Sequence, residues 1–240
     1  MKYNKIWCIP ALFFLVSCVL NLLGCLTDGN IEQCVKPALM PLLCVTTLTY
    51  LLGEVLSKGE TTPEGKLVAL LIGGQLFGYA GDTMLLGSGF AYFAGGIGLF
   101  LIGHICYISL FGGISWKGLK LKHWVIAVLG MLAVTAALIL GIGVNGAMLA
   151  PMGIYAFVLT LLIFSGLAGV IRGSAVKTGS RATWCIILCG ALLFSFSDSL
   201  IAVRNFGTIS HFMSGFGVMS TYLLAQVLLA VGGIRLILKK

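Results

Sequence analysis

Charge is what this chain has least of. Of 240 residues only 9% are Asp, Glu, Lys or Arg, against about 25% in an ordinary soluble domain, and that scarcity excludes a soluble globular fold. Acids are scarcer than bases, 7 against 15. Metal-ligand patterns are missing as well: the 8 cysteines and 3 histidines form no Cys-x-x-C and no Cys/His pairing at zinc spacing. No metal and no organic cofactor are therefore expected. Nor is there a polar stretch long enough to form a separate soluble catalytic domain.

What is present is hydrocarbon. Hydrophobic residues make up 59% of the chain and the mean hydropathy is +1.09. Roughly 20 apolar residues cross a bilayer as a helix, and apolar runs bounded by charge or by Gly, Pro and Ser clusters give eight candidate spans. They are Ile6 to Leu26, Ala38 to Leu56, Leu67 to Leu86, Phe90 to Phe111, Trp124 to Ile142, Met148 to Ile171, Ala182 to Val203 and Ile209 to about Ile234. The expected architecture is all-α, a polytopic membrane helical bundle of eight transmembrane helices filling residues 1–240 as a single transmembrane domain. An integral, multi-pass protein of a bacterial inner membrane or endoplasmic reticulum type follows.

The net charge of +8 would suggest nucleic acid in a soluble protein. Here it orients helices instead. With eight spans, all the basic residues except Lys36 and Arg204 fall on one side: Lys2, Lys5, Lys58, Lys66, Lys117, Lys120, Lys122, Arg172, Lys177, Arg181, Arg235, Lys239 and Lys240. The positive-inside rule then places both termini in the cytoplasm, and no nucleic-acid partner is expected. Close glycine pairs inside the spans, Gly73-Gly74, Gly95-Gly96 and Gly232-Gly233, suit close helix contact in lipid. The first span follows Lys2 and Lys5 as a signal peptide would, and Leu22-Leu23-Gly24-Cys25 faintly resembles a lipoprotein cleavage box. It is read as a retained helix, because its loss would leave seven spans and an exposed seam. Cys25 and Cys34 fall at the non-cytoplasmic ends of spans 1 and 2, where a disulfide can form in an oxidising compartment.

Five of the acids, Asp28, Glu32, Glu54, Glu60 and Glu64, sit in or beside loops, whereas Asp82 and Asp198 stand inside spans 3 and 7. An ionisable group in a span is costly and marks a functional site unless neighbouring polar groups merely cap it. Both spans run from cytoplasm to outside, and each aspartate is about 22 to 24 Å along its span at 1.5 Å per residue. Asn21 on span 1 and Tyr155 on span 6 reach roughly that level. Lys36, Arg204 and His211 sit on the outer rim just above, so a polar pocket with a cationic mouth is expected. Lys36 and Arg204 are plausible phosphate partners or snorkelling rim cations. His104 on span 4, with Tyr222 and Gln226 on span 8, lies about 10 Å deeper. A lone helical histidine is more often a packing residue than a ligand.

With these residues in hand, the chain resembles the YhhN-type lysoplasmalogenase family of polytopic membrane proteins. The matching pieces are Lys36-Pro37 with Met40-Pro41, Gly81-Asp82 with Leu85-Leu86, His104 with Tyr107, FSFSDSLIAVRNF from Phe194 to Phe206, and Tyr222 with Ala225-Gln226. The resemblance implies a lysophospholipid substrate: hydrolysis of the vinyl ether bond of lysoplasmalogens, giving a fatty aldehyde and glycerophosphocholine or glycerophosphoethanolamine. Carboxyl chemistry agrees. The alkene carbon must be protonated, and the resulting oxocarbenium ion must be stabilised and attacked by water, so an acid and a carboxylate are both needed. Which aspartate takes which part is not legible in the sequence.

Paired intramembrane aspartates also define intramembrane aspartyl proteases. Here Ala80-Gly81-Asp82 departs from their Gly-x-Gly-Asp signature, and Phe196-Ser197-Asp198 stands where a Tyr-Asp pair would be expected. A proton-coupled membrane transporter of a small or lipid-like solute is the alternative reading, because spans 3 and 7 share a Phe-rich approach to an aspartate that hints at a parallel repeat.

Overall fold

The computed structural model describes residues 5–27, 31–58, 63–144, 146–172 and 178–239. These form eight α-helices and, among the described residues, no strand: α1 Cys8–Gly24, α2 Ile31–Lys58, α3 Gly65–Met84, α4 Phe90–Ser115, α5 Leu121–Ile142, α6 Leu149–Arg172, α7 Arg181–Phe206 and α8 Val218–Ile237. Helices α2 to α8 are each long and apolar enough to cross a membrane. The 17 residues of α1 are apolar but shorter, at the lower limit of a spanning helix. The chain is an all-α, integral, multi-pass membrane protein. Of the residues used in the sequence reading, Lys2, Asp28, Glu60, Lys177 and Lys240 lie outside the described residues.

Two compact units divide the chain, one of residues 1–106 and 233–240, the other of residues 107–232. In the first, α1 and α2 pack as neighbours, with Trp7 set edge-on to Tyr50 at 5.5 Å near one end. At the other end a Cβ on Gly24 would come within 2.6 Å of the Glu32 amide nitrogen, so only glycine lets the two backbones approach there. Helix α2 lies on α3, and α3 meets the first part of α4 through glycines, Gly74 contributing a carbonyl 3.1 Å from where a Gly103 Cβ would stand. Such contact follows from the absence of a hydrophobic force between helices in lipid, which leaves backbone approach and dispersion to hold them.

In the second unit α6 is the hub, packed against both α5 and α7. Gly166 allows α6 to reach the Leu188 backbone, where a Cβ would stand 2.9 Å from that Cα. Trp184 is wholly buried beside Gly169 and donates its indole N–H to the Thr178 carbonyl at 3.3 Å. Helix α7 starts at Ser180, whose hydroxyl caps the Thr183 amide, and α5 stops at Gly143 in a left-handed conformation, φ 78°.

Several helix ends differ from the sequence expectation. Helix α2 begins at Ile31 rather than Ala38, running straight through Pro37 and Pro41. Proline removes an amide donor and normally ends a helix in water, but inside a bundle neighbouring groups re-satisfy the freed carbonyls. Helix α7 extends to Phe206, taking Arg204 into its last turn. The final span begins with a five-residue π turn, Met213–Gly217, instead of a regular helix from Ile209. Cys25 and Cys34 are free thiols, so no disulfide joins α1 to α2.

Candidate active site

In the first unit the polar face belongs to α3. Its buried residues, Leu71, Gly74, Gln75, Gly78, Gly81 and Asp82, recur every three or four positions and so share one side of the helix. Small residues between the polar ones let neighbours close in: a Cβ on Gly81 would stand 2.8 Å from the Phe100 ring. Asp82, in the last turn of α3, has Lys36 of α2 as ion-pair partner, Nζ to Oδ1 3.8 Å, with side chains only 4% and 12% exposed. Two turns back along α3, Gln75 Nε2 donates to Thr47 Oγ1 at 3.1 Å in a fully buried α2–α3 contact. Asn21 is buried on α1 and donates through Nδ2 to the Glu32 carbonyl at 3.4 Å. His104 is buried on α4.

In the second unit the corresponding group is Asp198 of α7, which is buried and accepts a hydrogen bond from the Tyr155 hydroxyl of α6 at 2.5 Å. A phenol is a neutral donor, so this carboxyl is partnered differently from Asp82. One turn before Asp198, the Phe194 ring meets Tyr222 of α8 edge to face at 5.4 Å. Tyr222 accepts from Gln226 Nε2 at 3.3 Å, and Gln226 Oε1 accepts from the Tyr107 hydroxyl at 2.6 Å. The π turn feeds α8 into this cluster. Its misdirected carbonyls are met by hydroxyls: Thr221 Oγ1 donates to Gly217 at 2.7 Å and Ser197 Oγ to Val218 at 3.0 Å. Arg204 and His211 are exposed.

The structure thus brings Lys36 to Asp82 and Tyr155 to Asp198. It also makes Lys36 part of a helix. Because α2 starts seven residues early, this lysine is a helical residue whose charge is turned to a carboxylate, not a loop cation above the span. Arg204 keeps an exposed position at the end of α7.

Two features escaped the sequence reading. Gln75 lies seven residues before Asp82, two helical turns on the same face, a spacing that could have singled it out. Glu54 is a third buried carboxyl on α2, 7% exposed, although its place near the end of an expected span had put it with the loop acids. No group of three or more His, Cys, Asp or Glu suited to a metal ion occurs among the described residues.

The model of the YhhN family matches residues 31–233, a stretch that holds every candidate site residue except Asn21. A Bos taurus protein named lysoplasmalogenase TMEM86A is 26% identical over 223 residues, covering 93% of this chain and 87% of the relative. No solved structure matches the chain.

Proposed function

The chain belongs to the YhhN family, and from that membership we propose that it is a membrane lysoplasmalogenase, a single transmembrane domain with both termini in the cytoplasm. It hydrolyses the vinyl ether of lysoplasmalogens to a fatty aldehyde and glycerophosphocholine or glycerophosphoethanolamine. The observation that carries the reading is the buried Tyr155–Asp198 hydrogen bond, which fixes a carboxyl within an apolar helix where an unused ionisable group would be costly. The relative named a lysoplasmalogenase supports the choice of reaction.

Asp198 is the proton donor in this scheme. Its Oδ2 accepts from the phenol, and the carboxyl delivers a proton to the alkenyl carbon. The resulting oxocarbenium ion is stabilised by the Asp82 carboxylate, whose negative charge the Lys36 ammonium balances at rest. Water adds to the cation and gives up a proton. The hemiacetal then collapses: its hydroxyl gives up a proton as the aldehyde C=O forms, and the glycerol oxygen takes one up as its C–O bond breaks, so one water is consumed and no net proton. Arg204, exposed at the end of α7, suits the headgroup phosphate. Asn21, His104 and Tyr222 are proposed as further substrate-binding residues. That both carboxyls serve one reaction rests on the sequence alone, which sets each about 22 to 24 Å along its expected span.

Mass spectrometry of purified protein incubated with vinyl ether and ester lysolipids tests the proposal. Release of a fatty aldehyde with the matching glycerophosphodiester is expected. Recovery of all lysolipids intact would defeat the hydrolase reading, and their movement across a vesicle membrane would point to the transporter instead.

A further inference from the structure

Within the second unit, α5 and α6 leave between them a groove of about 680 Å³, closed on one side by Leu192 of α7, a volume typical of ligand sites. Its long walls are apolar, including Ile126 and Val134 of α5 and Ile163 and Leu167 of α6. One end differs. Lys120 and His123 from the start of α5 and Arg172 from the end of α6 line it, and among the described residues no acid lines the groove. Arg172 is fixed there by donating from Nη1 to the Ser115 carbonyl at 2.6 Å, which uses one of its five donors. Trp116 and Trp124 mark the same end, their rings 5.0 Å apart, as indoles do at the level of lipid headgroups.

The dimensions are those of one leaflet. From Lys120 to Val134 α5 rises about 21 Å, and from Thr160 to Arg172 α6 rises about 18 Å. Half of a hydrocarbon core of about 30 Å, plus an interfacial zone, has the same depth. The groove stops midway along both helices, as a lipid of the adjoining leaflet would. Neither Tyr155 nor Asp198 lines it, so its occupant is independent of the vinyl ether reaction.

We propose that this groove is a binding site for an anionic glycerophospholipid of the leaflet at the α5 N-terminus, with the phosphate headgroup against Lys120, His123 and Arg172 and one acyl chain laid between α5 and α6. The bound lipid fills the side of α5 that protein leaves open and so holds that helix to α6.

The test uses the full-length protein in a neutral detergent, titrated with phosphatidylglycerol or phosphatidylcholine of identical chains and read by native mass spectrometry and thermal unfolding. Phosphatidylglycerol should give one saturable adduct and raise Tm, and phosphatidylcholine should need about ten times more lipid, a difference of about 1.4 kcal/mol. Lys120→Gln combined with His123→Gln, both at exposed positions, should remove most of that preference. Gly130→Trp should abolish the adduct by filling the groove, and a Cβ there meets nothing within 4 Å, so the helix accommodates it. Equal binding of the two lipids, or an adduct that survives Gly130→Trp, would overturn the proposal. So would loss of lysolipid turnover in Gly130→Trp, since the groove would then be the substrate's own path.

Discussion

The Tyr155 hydroxyl donates to Asp198 Oδ2 at 2.5 Å, and the two side chains are 3% and 5% exposed. Phenol and carboxyl therefore act as one polar unit set into apolar helices. Tyr155→Phe keeps the ring and removes the donor. It should lower turnover while leaving a folded protein, destabilised by about 1 to 3 kcal/mol for the lost hydrogen bond to the carboxyl. Turnover equal to wild type would separate the phenol from the chemistry.

Asp82→Asn and Asp198→Asn each remove a titrating carboxyl at nearly constant volume. Asp198→Asn should cut turnover by about 10² to 10⁴, the range for a lost general acid, and Asp82→Asn by about 10² to 10³, as for a lost charge stabiliser, both with unchanged helical content by circular dichroism. A variant keeping more than about a tenth of the rate would take its aspartate out of the mechanism.

The Lys36–Asp82 pair makes a stability prediction that is independent of activity. Lys36→Met leaves a buried carboxylate without its cation, and breaking a buried pair costs about 3 to 5 kcal/mol. Adding Asp82→Asn should recover much of that loss, because the charge left behind is removed as well. A double-mutant cycle on thermal unfolding in detergent checks it; strictly additive losses would show that the 3.8 Å contact carries no coupling.

Much of the molecule was legible before the structure, and the limits have a physical cause. An aspartate in an apolar run announces itself by composition, so Asp82 and Asp198 needed no coordinates. Their partners did. Tyr155 lies 43 residues from Asp198, and whether the two side chains meet depends on the rotation of α6 and α7 about their axes. A helix that is apolar all round encodes that rotation weakly. The prolines misled for a related reason: Pro37 reads as a helix start under rules drawn from water, whereas α2 passes through it and takes in Lys36 as a helical residue. The glycine pairs read correctly as contacts, Gly73 standing against Cys106 and Gly233 against Leu71.

Substrate form tests the mechanism from the lipid's side. A lysoplasmalogen should be cleaved, an intact plasmalogen with its second chain far more slowly, and a saturated lyso ether should bind and inhibit, since it has no alkene carbon to protonate. Equal rates on the first two would remove the single-chain requirement. Turnover of the third would exclude protonation at carbon.

Orientation is checked by labelling. With the exposed native thiols Cys8, Cys34, Cys185 and Cys189 replaced by serine, an impermeant thiol reagent should reach a cysteine introduced near Asn145 in intact cells. One introduced at Lys120 should react only after the membrane is opened. The reverse pattern would invert the topology.

The π turn at Met213–Gly217 makes one stretch of the last helix tolerant of a change in length. A π turn holds one residue more than the α turn it replaces. Deleting a residue between Val218 and Tyr222 would swing everything beyond it by about 100°, carrying Tyr222 and Gln226 away from Phe194 and Tyr107. Deletion of Gly215 can instead be absorbed by a return to ordinary α geometry, with the subsequent residues still facing their partners. The segment works as a spacer that sets which way the helix points, and a chain one residue shorter there can keep the same aromatic cluster.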